Sequence, residues 1–260
     1  MKAYDLLVQA ESGLAAVTGG PEAPGCVGVS VCDIAAGLVA YSAILEALHE
    51  RARSGRGGAI AVSLFDVMAD WMSVPLLQHL YGGAAPQRVG MNHPSIAPYG
   101  AYPTRGEPIV ISIQNEREWQ AFCAGVLERP ALADHVLYAD IPRRVQNRAA
   151  LDREIAKTFT ELERDELIAR LQRHGIAFGS LNSVASASRH PQLRRVRAST
   201  PAGPVDLIAP PVRWLGRAPA EPLGPVPEVG QHSAAIRAEF AAERQILTVR
   251  AGRRRRGRSG

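Results

Sequence analysis

The sequence predicts an α/β fold in which helices alternate with short strands. Apolar residues recur at helical spacing after Asp33, and short apolar runs suited to buried strands occur at 59–63 and 107–113. Proline and glycine cluster at 82–98 and again at 209–230, which predicts loops or linkers there. The alternation of the two element types favours a layered α/β or α+β architecture.

The first half of the chain predicts one long helix, a strand and an interrupted helix. Asp33 stands where an N-cap is expected, and Gly55 follows two arginines at the predicted helix end. Residues 59–63 read as a short buried strand. Residues 66–81 read as a helix that Pro75 kinks or interrupts.

The second half predicts a strand at 107–113 followed by several helices and a short strand near 203–208. The predicted helices span about 116–127, 147–160, 163–174 and 232–246.

Composition limits the classes of function. Residues 249–260 hold six arginines and no acid, one more than the net charge of +5, so the rest of the chain carries −1. Without interleaved aromatic residues, this tail favours a solvated extension over a nucleic-acid surface. No apolar run spans a bilayer, so we expect a cytoplasmic protein. Three cysteines without CxxC spacing give no metal site.

Asp33 is the first candidate for chemistry. It follows an apolar segment with small residues, at the predicted start of a helix, where backbone N–H groups and the helix dipole favour an ionised carboxylate. Such a carboxylate serves as a nucleophile on a thioester, as a general base, or as an ordinary N-cap. The residues alone leave these three interpretations open.

An ordered set of segments resembles the class III CoA-transferase family (CaiB/BaiF type). The likeness covers roughly residues 2–240 and is specific as a set, although no single piece decides it. Its pieces are YDLLVQAESGL at 4–14, GVSVCDIAAG at 28–37, RSGRG at 53–57, VSLFD at 62–66, HPSIAPY at 93–99, Arg148 with the helix after it, GIA at 175–177 and the stretch 223–232.

The resemblance implies a reaction and a set of site residues. Asp33 matches the family's nucleophile, which forms an anhydride with the acyl group and then an aspartyl-CoA thioester. Lys2 and Tyr4 match positions near CoA, whereas Asp5 and His93 are expected near the substrate. The family implies short dicarboxylic acids such as mesaconate, itaconate, citramalate or succinate, an interlocked homodimer, and no tightly bound cofactor, because CoA arrives with the substrate.

Two other functions stay open. The family fold also contains α-methylacyl-CoA racemases, in which a histidine stands at the position of Tyr4; an unperturbed tyrosine is a poor base at neutral pH, which favours the transferase. The family also begins with a nucleotide-fold segment that this chain lacks. We therefore expect a partial fold, and the second alternative function is an inactive truncated homologue or a subunit that needs a separate N-terminal half.

The domain plan follows from the same comparison with the family. Residues 1–84 are expected to be the remnant of the large nucleotide-fold domain and 85–98 a linker. Residues 99–205 are expected to form the small α+β domain and 206–248 the return segment, before the disordered tail at 249–260.

Overall fold

The computed structural model describes residues 2–216 and 224–241. Contacts group the chain into two compact units, Met1–Leu181 and Asn182–Gly260. Each unit contains both helix and antiparallel sheet. The domain bounds expected from the family stay predictions.

The first part of the larger unit is mainly helical. Its helices are α1 (Asp5–Glu11), α2 (Leu14–Val17), α3 (Val31–Ser54), α4 (Leu64–Trp71) and α5 (Ser73–Gly82). The two-residue strands β1 (Gly19–Gly20) and β2 (Ala23–Pro24) pair antiparallel between α2 and α3. The first, third and fourth helices pack on one another through a small core of Val8, Cys32, Ala35, Val67 and Met68.

Helix α3 begins earlier than the sequence predicted. Ser30 occupies the N-cap position and Asp33 lies in the first turn, so the assignment of Asp33 as the N-cap is wrong. The C-terminal end is confirmed: Gly55 follows the last residue with φ +71°, the left-handed conformation that glycine adopts without steric cost.

Much of the surface of α3 is apolar. Between residues 31 and 48 the only charged side chains are Asp33 and Glu46, and large side chains such as Leu38 and Tyr41 are more than 60% exposed. By length and composition α3 could cross a membrane, so the statement that no apolar run spans a bilayer is wrong for this helix. This is weak evidence, because core helices of soluble proteins pass the same test.

Two predictions between 56 and 82 had different outcomes. Residues 59–63 form no strand and are exposed; a short apolar run does not determine the element type, and no neighbouring strand in the described chain pairs with it. The interruption of the second helix is confirmed. It divides at Met72, and Pro75 lies in the first turn of α5, where its missing N–H breaks no intrahelical hydrogen bond.

The second part of this unit is a three-stranded antiparallel sheet covered by helices. The strands are β3 (Tyr99–Tyr102), β4 (Ile109–Ser112) and β5 (Ala177–Ser180), in the order β3-β4-β5. The helices are α6 (Glu116–Ala121), α7 (Ile141–Gln146), α8 (Arg148–Phe159) and α9 (Arg164–Arg173), with a π-helical turn at Phe122–Val126 and a 3-10 turn at Pro130–Leu132.

The main hydrophobic core lies between this sheet and its helices. Ile109 and Ile111 are buried on alternate positions of β4, facing Trp119, Phe122 and other apolar side chains of the same cluster. Arg144 is also fully buried. Its guanidinium lies 4.9 Å from the Trp119 ring and makes two hydrogen bonds, of 2.8 and 2.9 Å, to the Glu116 carboxylate.

The smaller unit contains helix α10 (Val184–Ala187) and a hairpin of β6 (Arg195–Thr200) and β7 (Gly203–Ile208). The strand near 203–208 is thus confirmed. The described parts of the predicted linker at 209–230 hold neither helix nor strand, and residues 233–241 are helical. The end of the predicted terminal helix and the arginine tail lie outside the described residues.

Candidate active site

The first residues of the chain lead into the N-terminus of α1. Tyr4 holds the extended N-cap position, its side chain is 64% exposed, and its carbonyl accepts the Val8 N–H. Asp5 is the first residue of α1, where a negative charge interacts favourably with the helix dipole. Lys2 lies just before this turn and is exposed.

Lys2 lines a cleft of about 380 Å³ between α1 and the residues that lead into α4. The walls of the cleft are mostly apolar, with Leu7 and Val8 from one side and Leu64 and Phe65 from the other. Lys2 and Glu11 are its two charged residues. An apolar cleft with a cation suits a ligand that has a flat or aliphatic part and an anionic group.

Asp33 lies in the first turn of α3 with its side chain exposed. Within the described residues no hydrogen bond or ion pair engages its carboxylate. Asp33 is therefore a carboxylate whose oxygens are available to a ligand.

Asp5, in contrast, is fully engaged by the protein. Its Oδ1 accepts the Cys32 N–H at 2.8 Å, and its Oδ2 accepts the Gln9 side-chain amide at 2.8 Å. Burial raises the pKa of Asp5, but the hydrogen bonds from Cys32 and Gln9 outweigh it and hold the pKa below the ordinary value of 3.8. Asp5 thus accepts a hydrogen bond from a first-turn N–H group of α3. The donor, Cys32, is the residue immediately before Asp33.

The cysteine beside Asp33 is not a competing nucleophile. The Cys32 thiol is fully buried and lies 3.5 Å from the Asp5 carbonyl oxygen. Burial, the hydrogen bond to Asp5 and the charges of Asp5 and Asp33 raise its pKa to about 11. The thiol therefore stays protonated at neutral pH, and only a thiolate attacks efficiently.

Gln9 is a site residue to which the sequence analysis gave no role. Its side chain is 1% exposed and hydrogen-bonds both backbone groups of Val27, in the segment that leads to α3. The signal in the sequence was an amide one helical turn after Asp5, but its partners on a distant backbone could not be read from the pattern.

His93 lies in the loop that precedes β3, and its backbone N–H donates to the Tyr99 carbonyl of that strand. Its ring stacks on Tyr99 with centroids 5.2 Å apart, and its Nδ1 accepts the Ser95 N–H at 3.2 Å. In neutral imidazole the proton then resides on Nε2, which leaves one ring donor. The described contacts of His93 are with this loop and with Arg148, and none is with Asp33.

Arg148 is the first residue of α8, and its side chain binds backbone carbonyls of the His93 loop. Its Nη2 donates to the carbonyls of His93 at 2.6 Å and of Ile96 at 2.8 Å. Its Nη1 is buried without a hydrogen-bond partner in the described chain. Nearby, the Tyr102 hydroxyl donates to Asp152 at 2.8 Å.

Across residues 2–216 and 224–241, no group of three or more His, Cys, Asp or Glu side chains is placed to hold a metal ion. The chemistry available here is that of a carboxylate at a helix start, with a cleft and a histidine loop in the same unit.

Comparisons with known proteins identify the family. A statistical model of the family described as CoA-transferase family III matches residues 1–233. An acetyl-CoA:oxalate CoA-transferase of Acetobacter aceti is 31% identical over 92% of this chain and 62% of its own length. A succinate–glutarate CoA-transferase of Agrobacterium fabrum is 30% identical over 94% of this chain and 62% of its own length.

Solved structures agree. A CAIB/BAIF family protein from Brucella suis is 32% identical, with a TM-score of 0.74 over 91% of this chain and 62% of that chain. The chain spans about 60% of the length of these relatives. The predicted family and its mixed helix-and-sheet fold are confirmed, and this chain belongs to CoA-transferase family III.

Proposed function

We propose that the protein transfers CoA between carboxylic acids through a covalent intermediate on Asp33. The observation that carries this proposal is the contrast at the start of α3. Asp5, at the start of α1, accepts a hydrogen bond on each carboxylate oxygen, while Asp33, in the first turn of α3, is exposed and unengaged within the described residues. A carboxylate in that position is the free nucleophile that the family's chemistry requires.

The reaction then balances without a further reagent. A carboxylate oxygen of Asp33 attacks the thioester carbon, the C–S bond breaks, and the acyl group and Asp33 form an anhydride as CoA leaves as its thiolate. The thiolate attacks the aspartyl carbon of the anhydride, which releases the donor acid and leaves an aspartyl-CoA thioester. The acceptor carboxylate reverses the two steps.

The other predicted residues receive supporting roles. Lys2 and Tyr4 contact CoA, with Lys2 placing a cation in the apolar cleft between α1 and α4. Asp5 and His93 lie near the acyl group, Asp5 through its contact with the residue before Asp33. CoA enters as part of the substrate, so we propose no tightly bound cofactor, and we propose an interlocked homodimer in the cytoplasm.

We propose short dicarboxylic acids as substrates. The relatives are named as CoA-transferases for oxalate, succinate, glutarate, mesaconate and citramalate. Mesaconate, itaconate, citramalate and succinate are the acids that we expect this chain to exchange. Each carries a second carboxylate, for which a cationic group near the site is required.

The test is formation of a covalent adduct on Asp33. After incubation with succinyl-CoA, mass spectrometry of the peptide that contains residues 31–48 should show CoA added with loss of water. Asp33→Ala and Asp33→Asn should give no adduct and no exchange of CoA into labelled acid, because neither side chain offers a carboxylate nucleophile.

The matched control is Asp66→Asn. Asp66 occupies the same third position of α4 that Asp33 occupies in α3, and it is exposed. This variant should keep the adduct and the exchange. Exchange that persists in Asp33→Ala would exclude the mechanism, and rapid Asp33-dependent uptake of deuterium at the α-carbon of a 2-methylacyl-CoA would favour the racemase.

A further inference from the structure

Gln9 is one of two buried polar or charged side chains in the described chain, the other being Arg144. It lies on α1 one turn after Asp5, with 1% of its surface exposed. A buried amide is costly unless its hydrogen bonds are made, so its partners indicate what it is for. Its side-chain partners are Asp5 and Val27. Val27 begins the segment that leads to Asp33, and Asp5 contacts the end of that segment at Cys32.

Gln9 pairs with Val27 as a neighbouring strand would. Its Oε1 accepts the Val27 N–H at 2.9 Å, and its Nε2 donates to the Val27 carbonyl at 3.3 Å. One side chain thus satisfies both backbone groups of a residue 18 positions away. This contact fixes the beginning of the segment 27–32.

The same amide also fixes the end of that segment through Asp5. Nε2 of Gln9 donates to Oδ2 of Asp5 at 2.8 Å, and Oδ1 of Asp5 accepts the Cys32 N–H at 2.8 Å. Between the two contacts, residues 28–30 include Gly28 and lie outside regular secondary structure, before α3 begins at Val31. Asp33 is the residue that follows.

We propose that Gln9 is a positioning residue for Asp33. It sets the path of residues 27–32 from both ends, directly at Val27 and through Asp5 at Cys32, and so sets where the first turn of α3 presents the nucleophile. The inference rests on the proposed function of Asp33. It gives Gln9 no contact with the substrate.

The chemistry requires an amide at this position. Two donors and one acceptor are used at once, toward Asp5, the Val27 carbonyl and the Val27 N–H. A glutamate would keep the acceptor but place a second carboxylate against Asp5. A leucine would keep the volume and remove all three hydrogen bonds.

The experiment compares Gln9→Leu and Gln9→Glu with the unmodified chain. A displacement of about 1 Å in a reacting group costs on the order of 100-fold in rate, so we expect kcat of Gln9→Leu to fall by about 10- to 100-fold. KM should change by less than about twofold, because the side chain does not bind substrate. Hydrogen exchange of the amides of Val27 and Cys32 should accelerate in the same variant.

The pH dependence of kcat in Gln9→Glu distinguishes a positioning role from a general loss of stability. Protonation of the introduced carboxyl restores a donor toward Asp5, so kcat of this variant should rise as the pH is lowered, relative to the unmodified chain and to Gln9→Leu. The control is Gln172→Glu, an exposed glutamine on α9, which should leave kcat and its pH profile unchanged.

Failures of the two proposals are distinguishable. If the unmodified chain forms no adduct with succinyl-CoA, the proposed function fails, and the exchange rates of Val27 and Cys32 still decide whether Gln9 fixes the segment. Unchanged exchange at those amides in Gln9→Leu overturns the positioning role. An unchanged kcat in an active chain overturns it as well.

Discussion

At the scale of the residue, environment separates carboxylates that the sequence alone does not. Asp5 receives two strong donors and has a lowered pKa, so it is ionised but occupied. Asp33 lies at the favourable end of a helix with its oxygens unengaged in the described chain. Asp152 is the opposite case, because burial raises its pKa despite a hydrogen bond from Tyr102. Of these three carboxylates, only Asp33 has oxygens that no described side chain or backbone group engages.

Asp152 gives a pH-dependent prediction. Burial raises the pKa of its carboxyl above 3.8, and the Tyr102 hydroxyl and the charge of Arg148 offset only part of this. As the pH rises from below 3.8 through the folded-state pKa, the unfolded chain releases this proton first, so the contribution of Asp152 to stability is lost. Asp152→Asn removes this loss and keeps an oxygen for Tyr102.

The measurement is denaturant unfolding between pH 3.5 and 7. The free energy of unfolding of Asp152→Asn, minus that of the unmodified chain, should increase with pH and then level off. Asp140→Asn is not suitable as a control because Asp140 caps α7; Asp134→Asn, an exposed site, should show no such trend. A difference that is constant over this range would contradict the role given to burial.

At the scale of the element, the helix pattern was informative, and the strand pattern was correct at β4 and β7 but wrong at 59–63. The helices predicted at 147–160 and 163–174 match α8 and α9 because apolar residues such as Leu151, Ile155 and Leu167 recur at the helical period and fill the core. The strand at 59–63 failed because pairing, rather than composition, defines a strand. Helix α7 was missed because its six residues hold few apolar side chains.

The His93 loop depends on one element, the start of α8. Arg148→Met removes the hydrogen bonds to the carbonyls of His93 and Ile96, so we expect the free energy of unfolding to fall by about 1–3 kcal/mol. Loss of the buried, unpaired Nη1 offsets part of this cost. Denaturant unfolding measures the total, and hydrogen exchange at residues 93–99 should accelerate locally.

Arg153→Met is the matched control for that loop. Arg153 lies on the same helix with an exposed side chain, and its loss should change stability by less than about 0.5 kcal/mol. Equal effects of the two substitutions would mean that the charge of α8, and not the contact with the loop, is what matters.

At the scale of the whole molecule, the order of the segments was more informative than any one of them. The family and the mixed fold could be predicted from the sequence because a set of short motifs recurs in one order along the chain. The candidate site could be predicted only in part. The position of Asp33 follows from its motif, whereas the contact of Asp5 and Gln9 with residues 27–32 depends on how α1 packs on α3.

Charge is also a property of the whole chain. Deletion of residues 249–260 changes the formal net charge from +5 to −1. We expect earlier elution from a cation exchanger at neutral pH, with the melting temperature almost unchanged, because this segment has few apolar side chains to bury. Replacement of the six arginines by glutamine should reproduce the shift, and a loss of several degrees would show that the tail contributes to folding.

The contacts that hold the Asp33 segment also bear on how the chain folds. They join residues only 18 and 27 positions apart, whereas β4 and β5 pair Ile111 with Phe178. Each doubling of the closed loop costs roughly 0.6 kcal/mol of chain entropy, so the nearer contacts form with the smaller penalty. During synthesis, α1 and α3 can pack together, with the Gln9–Val27 and Asp5–Cys32 hydrogen bonds between them, before β5 has left the ribosome. We therefore expect the nucleophile's scaffold to be among the earliest structure that the nascent chain acquires.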